Sequence, residues 1–442
     1  MPSRTPEWPA WPEFTAQGIS DHDDADFLAV KKTVIDEYGA EALRSSWIQV
    51  CNQLRAVTDE IACKGNSIIP VFNTEQVLNN GGFSPEDKAE VQRVGAFVFK
   101  GTIPEDDANN LYNQLRHYVS ENKTVIKSWP AESPSMLVLY DSPVQNTLRA
   151  HPNQLRLQRL LNDLWHDESK ETSPDPLVYH DGVRDRAPGQ PFLGLGPHID
   201  AGSLSRWADA AYRRVYHNIF SGNPEQHDCF DLGIRKSANQ DMFPGMAHSS
   251  VFRSFQGWTA LTPTAPREGT IMVYPNVKTA IAYVLLRPFF TPPSNPDELM
   301  DPEKWVLDDK TGWFPGTTKP DSQRLSRASH PHLRLEECLV YMPKVEAGDT
   351  VWWHADLCHA VDTDHLGKNN ASVAFIGACP STTINKRYVK KQLEATLAGH
   401  TSPDYSGDDD LDETTLKGYM GLGDLSAEAK KAFGFDLLDT AA

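Results

Sequence analysis

Between residues 24 and 62, Phe27, Val30, Val34 and Tyr38, then Leu43, Trp47 and Val50, fall at three- or four-residue steps. That spacing lines apolar side chains along one helical face, and predicts a helical buttress. "VGAFVFKGTIP" (94–104) reads as a short strand closed by a turn. "PEDDANNLYNQLRHYVSENK" reads as a helix with an acidic start and Leu111, Leu115 and Tyr118 on one face. A second strand is expected at "MLVLYD" (136–141), then a helix through 145–166. From about 177 the pattern becomes short β runs separated by proline, glycine and aspartate: "LVYHDGVRDR", "FLGLGPHID", "RSFQGWTAL", "GTIMVYP", "CLVYMP", "DTVWWHA" and "ASVAFIGA". Such runs favour an antiparallel sandwich or barrel. Two insertions interrupt them. Residues 203–250 hold the helical "SRWADAAYRRVYHNIF", and the proline-rich 288–335 reads as a surface loop.

Composition narrows the function classes. The 442 residues suit two modest domains or one elaborated domain. Forty-two basic against sixty acidic residues leave a net charge of −18, which argues against nucleic acid or an anionic membrane as partner and leaves a small molecule. The six cysteines form no Cys-x-x-Cys and read as reduced core residues. "MPSRTPEWPAWPEF" has no apolar h-region, and the most apolar run, "TAIAYVLL", is too short to span a bilayer. The expectation is a cytoplasmic protein. "DYSGDDDLDE" (404–413) carries six acids and no base, and reads as a solvated linker within an acidic C-terminal tail.

Chemistry concentrates at "GPHIDAGSLSRW", where His198 and Asp200 lie one residue apart after an apolar run. On a strand, residues i and i+2 face the same way, so an imidazole and a carboxylate would point together. With one more imidazole from a distant strand they would form a two-histidine-one-carboxylate facial triad, a set that leaves open positions on ferrous iron. "WWHADLCHAVD" offers His354 and His359, and from the residues alone either could complete it. "HPH" (330–332) sits in the proline-rich insertion and reads as surface. There is no His-Glu-x-x-His, no Gly-x-Ser-x-Gly, and no third glycine after "GLGPHI" for a dinucleotide loop.

The succession His198-x-Asp200, "GWTAL", "GTIMVYP", "GDTVWWHADLCHAV" and a closing strand resembles the iron(II)/2-oxoglutarate-dependent oxygenases, near their phytanoyl-CoA-hydroxylase-like branch. "GPHIDAGSLSRW", "FRSFQGWTAL" and "INKRYVKKQ" more closely resemble a fungal and bacterial family known as a domain of unknown function. The resemblance implies a mainly β, α+β fold. Its core would be a double-stranded β-helix over 177–400 carrying the two insertions, after an N-terminal helical buttress with the first strands over 1–176 and before a tail over 401–442. It implies iron(II) held by His198, Asp200 and His359, with 2-oxoglutarate and dioxygen as cosubstrates. The activity implied is oxidation, by hydroxylation, desaturation or oxidative cyclisation, in fungal specialised metabolism or elsewhere; the aromatics and arginines of "SRWADAAYRRVYHNIF" suit a small carboxylate-bearing substrate. The alternative is a β-helix that captures a ligand without catalysis.

One departure matters. The superfamily places an arginine on the strand after the distal histidine to grip the remote carboxylate of 2-oxoglutarate. Here "ASVAFIGA" has no cation, and Phe375 stands where it is expected. Among Arg184, Arg186, Arg206, Arg253 and Arg387, Arg253 is the first choice, since its strand should line the barrel mouth. Arg184 and Arg186 read as an exposed strand face, Arg206 as a surface salt bridge and Arg387 as a docking contact. Trp258 corresponds to a superfamily tryptophan near the cosubstrate, or else is a core aromatic. The insertions are expected to fold over the mouth as lids, with 203–250 enclosing the substrate.

Overall fold

Gly39, with φ of 87°, divides the first helical stretch into Asp24–Tyr38 and Ala40–Lys64. The computed structural model describes residues 2–14, 24–192, 194–243, 245, 249–405 and 411–438. Phe27, Val34, Leu43, Trp47 and Val50 are buried, as their spacing predicts. Trp47 anchors the second helix, its ring stacked on Phe290 at 4.7 Å and on Tyr283 at 5.3 Å. The helix expected through 145–166 is two helices, Pro143–Ala150 and Pro152–Asn162. Pro152 forces His151 into an extended conformation and breaks the run.

The described residues contain sixteen strands. The first eight are β1 Val71–Asn73, β2 Ala96–Lys100, β3 Ser128–Trp129, β4 Met136–Leu137, β5 Ser173–Leu177, β6 Val183–Arg186, β7 His198–Ile199 and β8 Phe255–Ala260. The rest are β9 Ile271–Val273, β10 Phe290–Thr291, β11 Val306–Leu307, β12 Gln323–Arg324, β13 Val340–Tyr341, β14 Thr350–His354, β15 His359–Val361 and β16 Ala371–Ser381. The largest sheet runs β1-β2-β14-β8-β16-β6-β4-β3, with β5 also on β16; a second runs β12-β7-β15-β9-β13, and β10 and β11 pair by themselves. From β6 to β9 and again from β13 to β16 the chain alternates between the two main sheets. A cavity of about 630 Å³ lies between them, lined by Trp258 and Phe375 of one and His198 and His359 of the other.

The fold is mixed α/β, with more residues in helices than in strands, so "mainly β" is corrected. Several apolar runs form only two- or three-residue strands, because proline, glycine and aspartate interrupt them; "MLVLYD" gives only β4. "TAIAYVLL" becomes the buried helix Lys278–Leu286, and among the described residues no helix is long and apolar enough to cross a membrane.

The 288–335 segment is not a plain surface loop. Trp305 and Phe314 are buried, and so are His330 and His332, against expectation. His332 packs against Trp47 and Trp305 and meets the Tyr283 hydroxyl at 3.1 Å. The acidic stretch also differs from a solvated linker at both ends, while residues 406–410 lie outside the described residues. Asp404 accepts hydrogen bonds from Tyr179 and Ser249, and buried Glu413 accepts from the backbone N–H groups of Tyr140 and Asp141.

Candidate metal centre

β7 and β15 pair antiparallel with His198 directly opposite His359. Their rings lie 4.2 Å apart between centroids. Two residues along, Asp200 reaches between them: its Oδ1 is 3.4 Å from His198 Nε2 and its Oδ2 is 3.4 Å from His359 Nε2. One ligand atom from each of the three falls within 4.8 Å of the other two. The opposite nitrogens are committed elsewhere. His198 Nδ1 meets the Gly196 carbonyl at 2.7 Å, and His359 Nδ1 meets the Leu357 carbonyl at 3.1 Å. A carbonyl only accepts, so each Nδ1 carries the proton and each Nε2 presents a lone pair.

Electrostatics keep the set in ligating form. Burial, and then the neighbouring His359, hold the His198 imidazole below its ordinary value. Burial opposes ionisation of Asp200, but the two imidazoles prevail and hold its carboxyl well below the usual range. Two imidazole lone pairs and one carboxylate, converging from a buried wall onto a cavity, fit a divalent ion with open positions.

The turn after Asp200 needs left-handed backbone at Ala201 (φ 56°) and Gly202 (φ 73°). A side chain at Gly202 would lie 2.7 Å from the Tyr212 ring. This turn is braced by Arg206, which donates to the carbonyls of Asp200 (3.1 Å) and Ala201 (3.3 Å). Its other amine reaches Asp356 at 2.7 Å. Arg235 and the Tyr216 hydroxyl also bind Asp356, and Arg235 binds Tyr212. Burial alone would raise the Asp356 carboxyl, but Arg235 and Arg206 hold it far below the ordinary range.

Arg206 is thus a buried strut, not a surface salt bridge. It ties the turn carrying Asp200 to the loop before β15, the strand that His359 opens. The insertion that supplies it is a brace where a lid was expected: of its described residues, only Ser249 lines the cavity. A bidentate role for Asp356 has no local motif, which is why sequence did not find it.

His354 faces elsewhere. It stacks on Trp165 at 4.9 Å, gives Nε2–H to the Cys229 carbonyl at 3.1 Å, and accepts the Asp356 N–H at 3.0 Å. Both nitrogens are used, leaving none for a metal.

Opposite the triad, Gln256 and Trp258 of β8 and Phe375 of β16 line the cavity. β8 keeps continuous register with both neighbours through Gly257, so there is no bulge there. Gly257 is small because a side chain would strike the Val351 carbonyl and the Trp352 ring. Trp258 Nε1 is buried without an acceptor.

Arg253 also lines the cavity; it precedes β8, so strand alternation does not govern it. Its guanidinium is 3.5 Å from Asp181 and 5.2 Å from the Tyr179 ring centroid. Burial works against its charge, but Tyr179 and Asp181 keep it more basic than usual. Gly377 of β16 makes room, since a side chain there would lie 3.0 Å from Arg253 Cδ.

Arg184 and Arg186 are buried, not an exposed face, because β6 lies inside the large sheet with β16 and β4 on either side. Arg186 is consumed by the carbonyls of Gln190, Asp362 and Thr363. Arg184 lines the cavity. Arg387 is exposed on the helix Thr383–Leu397, outside the cavity lining.

The arrangement is an α/β protein with two main sheets and a largely buried three-residue metal-type donor set facing a cavity between them. The chain belongs to the Gig2-like family, whose model matches residues 22–435. It is similar to the uncharacterized protein YbiU of Escherichia coli (strain K12), with 32% identity over 410 residues, 88% of this chain and 92% of that protein. The crystal structure of GlcNAc Inducible Gene 2 from Candida albicans superposes with a TM-score of 0.83 at 27% identity, covering 95% of this chain and 90% of that one. A Salmonella typhimurium LT2 structure, named provisionally as an oxidoreductase, gives 0.78 at 28% identity, covering 95% and 99%.

Proposed function

We propose that the protein is a non-haem iron(II)/2-oxoglutarate-dependent oxygenase acting on a small carboxylate-bearing substrate. The observation that carries this reading is the convergence of His198, Asp200 and His359, both imidazoles held with Nε2 free toward the cavity. Strand order supports it: β6-β16-β8-β14 faces β7-β15-β9-β13, and the chain crosses between them at every step except from β9 to β13. That is the arrangement expected of a double-stranded β-helix, in which the metal ligands sit on the smaller sheet. The Salmonella relative's provisional name as an oxidoreductase points the same way.

Iron(II) held by this triad would supply dioxygen activation coupled to decarboxylation of 2-oxoglutarate. The overall balance is substrate C–H, 2-oxoglutarate and dioxygen going to substrate C–OH, succinate and carbon dioxide. The protein's own residues orient and shield. Gly196 and Leu357 fix the imidazole tautomers, Arg206 holds the Asp200 turn, and Trp258, Trp353 and Phe375 make a dry wall. Tyr179, Tyr405, Asp181 and Arg253 form a polar, aromatic part of the chamber. Arg253 retains donors beyond its loose contact with Asp181, and would meet a substrate carboxylate there. The chamber's charged and phenolic groups suit a small polar metabolite better than a long acyl chain.

The test is 2-oxoglutarate turnover to succinate, with iron(II), across amino acids, acyl-CoA esters and methylated oligonucleotides. Stimulation by small carboxylates is expected. Stimulation only by acyl-CoA or oligonucleotide would overturn the substrate class, and no turnover under any condition would overturn the oxygenase.

A further inference from the structure

Arg184 is a charge without a counter-charge. It is 3% exposed, it lines the cavity, and its one hydrogen bond runs from Nη2 to the Gly269 carbonyl at 2.6 Å. Its Nε is buried with no acceptor, and among the described residues no carboxylate lies within 4.0 Å of it. Asp362 acts on it from farther away: its Oδ1 accepts from the Tyr341 hydroxyl and the Asp364 N–H, its Oδ2 has no hydrogen-bond partner, and burial raises this carboxyl to about 7, which weakens it as a counter-charge. A buried guanidinium left this way is costly unless an anion completes it. Arg186, one strand-step along, needs none, since three backbone carbonyls already surround it.

The sheet register says where Arg184 stands. It pairs with Val373 of β16, and Phe375, two residues on, pairs with Trp258 of β8. Directly opposed residues share a face, so Arg184, Val373, Phe375 and Trp258 all belong to the cavity face. Arg253 lies instead against Gly377, four residues farther along β16, roughly 13 Å from the Val373 row. Of the three arginines lining the cavity, Arg324, opposite His198 on β12, is already paired with both carboxylate oxygens of Asp321, while Arg184 and Arg253 serve different ends of the chamber.

We propose that Arg184, delivered from β6, binds the remote carboxylate of the dicarboxylic 2-oxo acid in place of a cation on β16, with Trp258 Nε1 a further unpaired donor on the same sheet. This rests on the oxygenase reading and deepens it. Arg253 is thereby left for the substrate.

The test is calorimetric titration of the manganese(II)-loaded, full-length protein with 2-oxoglutarate and with 2-oxovalerate, which lacks the remote carboxylate. The wild type should prefer 2-oxoglutarate by about 30-fold or more, the worth of a desolvated charge pair. Arg184→Gln should erase that preference while leaving 2-oxovalerate and manganese binding unchanged, and Arg253→Gln should keep it. If Arg184→Gln does not fold, Arg184→Lys should keep the fold and weaken 2-oxoglutarate about tenfold, having lost the bidentate fork. An undiminished preference in either Arg184 variant, or its loss in Arg253→Gln alone, overturns the assignment. Failure of the metal-loaded wild type to bind either 2-oxo acid overturns the oxygenase reading along with it.

Discussion

His198 and His359 each give Nδ1–H to the carbonyl of the residue two before, a local contact that leaves Nε2 as the ligating atom. Asp200 between them adds the charge a divalent ion needs. Asp200→Ala should lower iron(II) or manganese(II) affinity by about 100-fold or more, since even an outer partner of a metal ligand is worth 10- to 100-fold. His354→Ala should leave that affinity alone and lower stability by about 2–4 kcal/mol, through the lost stack on Trp165 and two unsatisfied backbone groups. Metal titration and urea denaturation of both variants separate the two histidines. If His354→Ala abolishes metal binding and His359→Ala does not, the distal ligand is misassigned. At this scale the sequence was readable where spacing is geometry: His-x-Asp at a strand end fixes two ligands on one face. Arginine fates were unreadable, because whether Arg184 or Arg206 is buried depends on strands and loops 80 to 190 residues away.

Elements decide how rigid the centre is. The insertion 203–250 carries Arg206 and Arg235 to Asp356, joining the turn after β7 to the loop before β15. Asp356→Asn leaves two buried guanidiniums short of a full counter-charge. It should cost about 3–5 kcal/mol of stability and weaken metal binding as well, although Asp356 is no ligand. Unchanged metal affinity in a folded Asp356→Asn protein would show that the brace does not reach the centre. The helical buttress was legible because a 3.6-residue apolar stripe over 24–62 admits few alternatives. Strand lengths were not, since "FLGLGPHID" contributes only two residues to a ladder once its glycines turn the chain. The helical insertion looked like a lid because aromatic and arginine side chains serve a ligand pocket and a buried polar cluster equally well.

Across the whole molecule, burial has removed several histidines from ordinary titration. His227, His332 and His354 are each pushed down to about 4, chiefly by desolvation. In the unfolded chain they titrate near 6.5. Between those values the unfolded state binds protons that the native state refuses, so their contribution falls as pH drops from 6.5 toward 4. At pH 5 the loss should be about 2 kcal/mol per histidine, and His332→Phe should flatten the urea-midpoint profile over that window. A midpoint difference between wild type and variant that does not change with pH would contradict it.

Whether this molecule is an iron(II)/2-oxoglutarate enzyme is decided most directly by anaerobic titration of the full-length protein with iron(II) and then 2-oxoglutarate, followed in the visible. A weak charge-transfer band that needs both components, and is absent in Asp200→Ala, is the expected result. A wild-type protein that binds iron(II) yet develops no band with 2-oxoglutarate, or that binds no iron(II) at all, would contradict it.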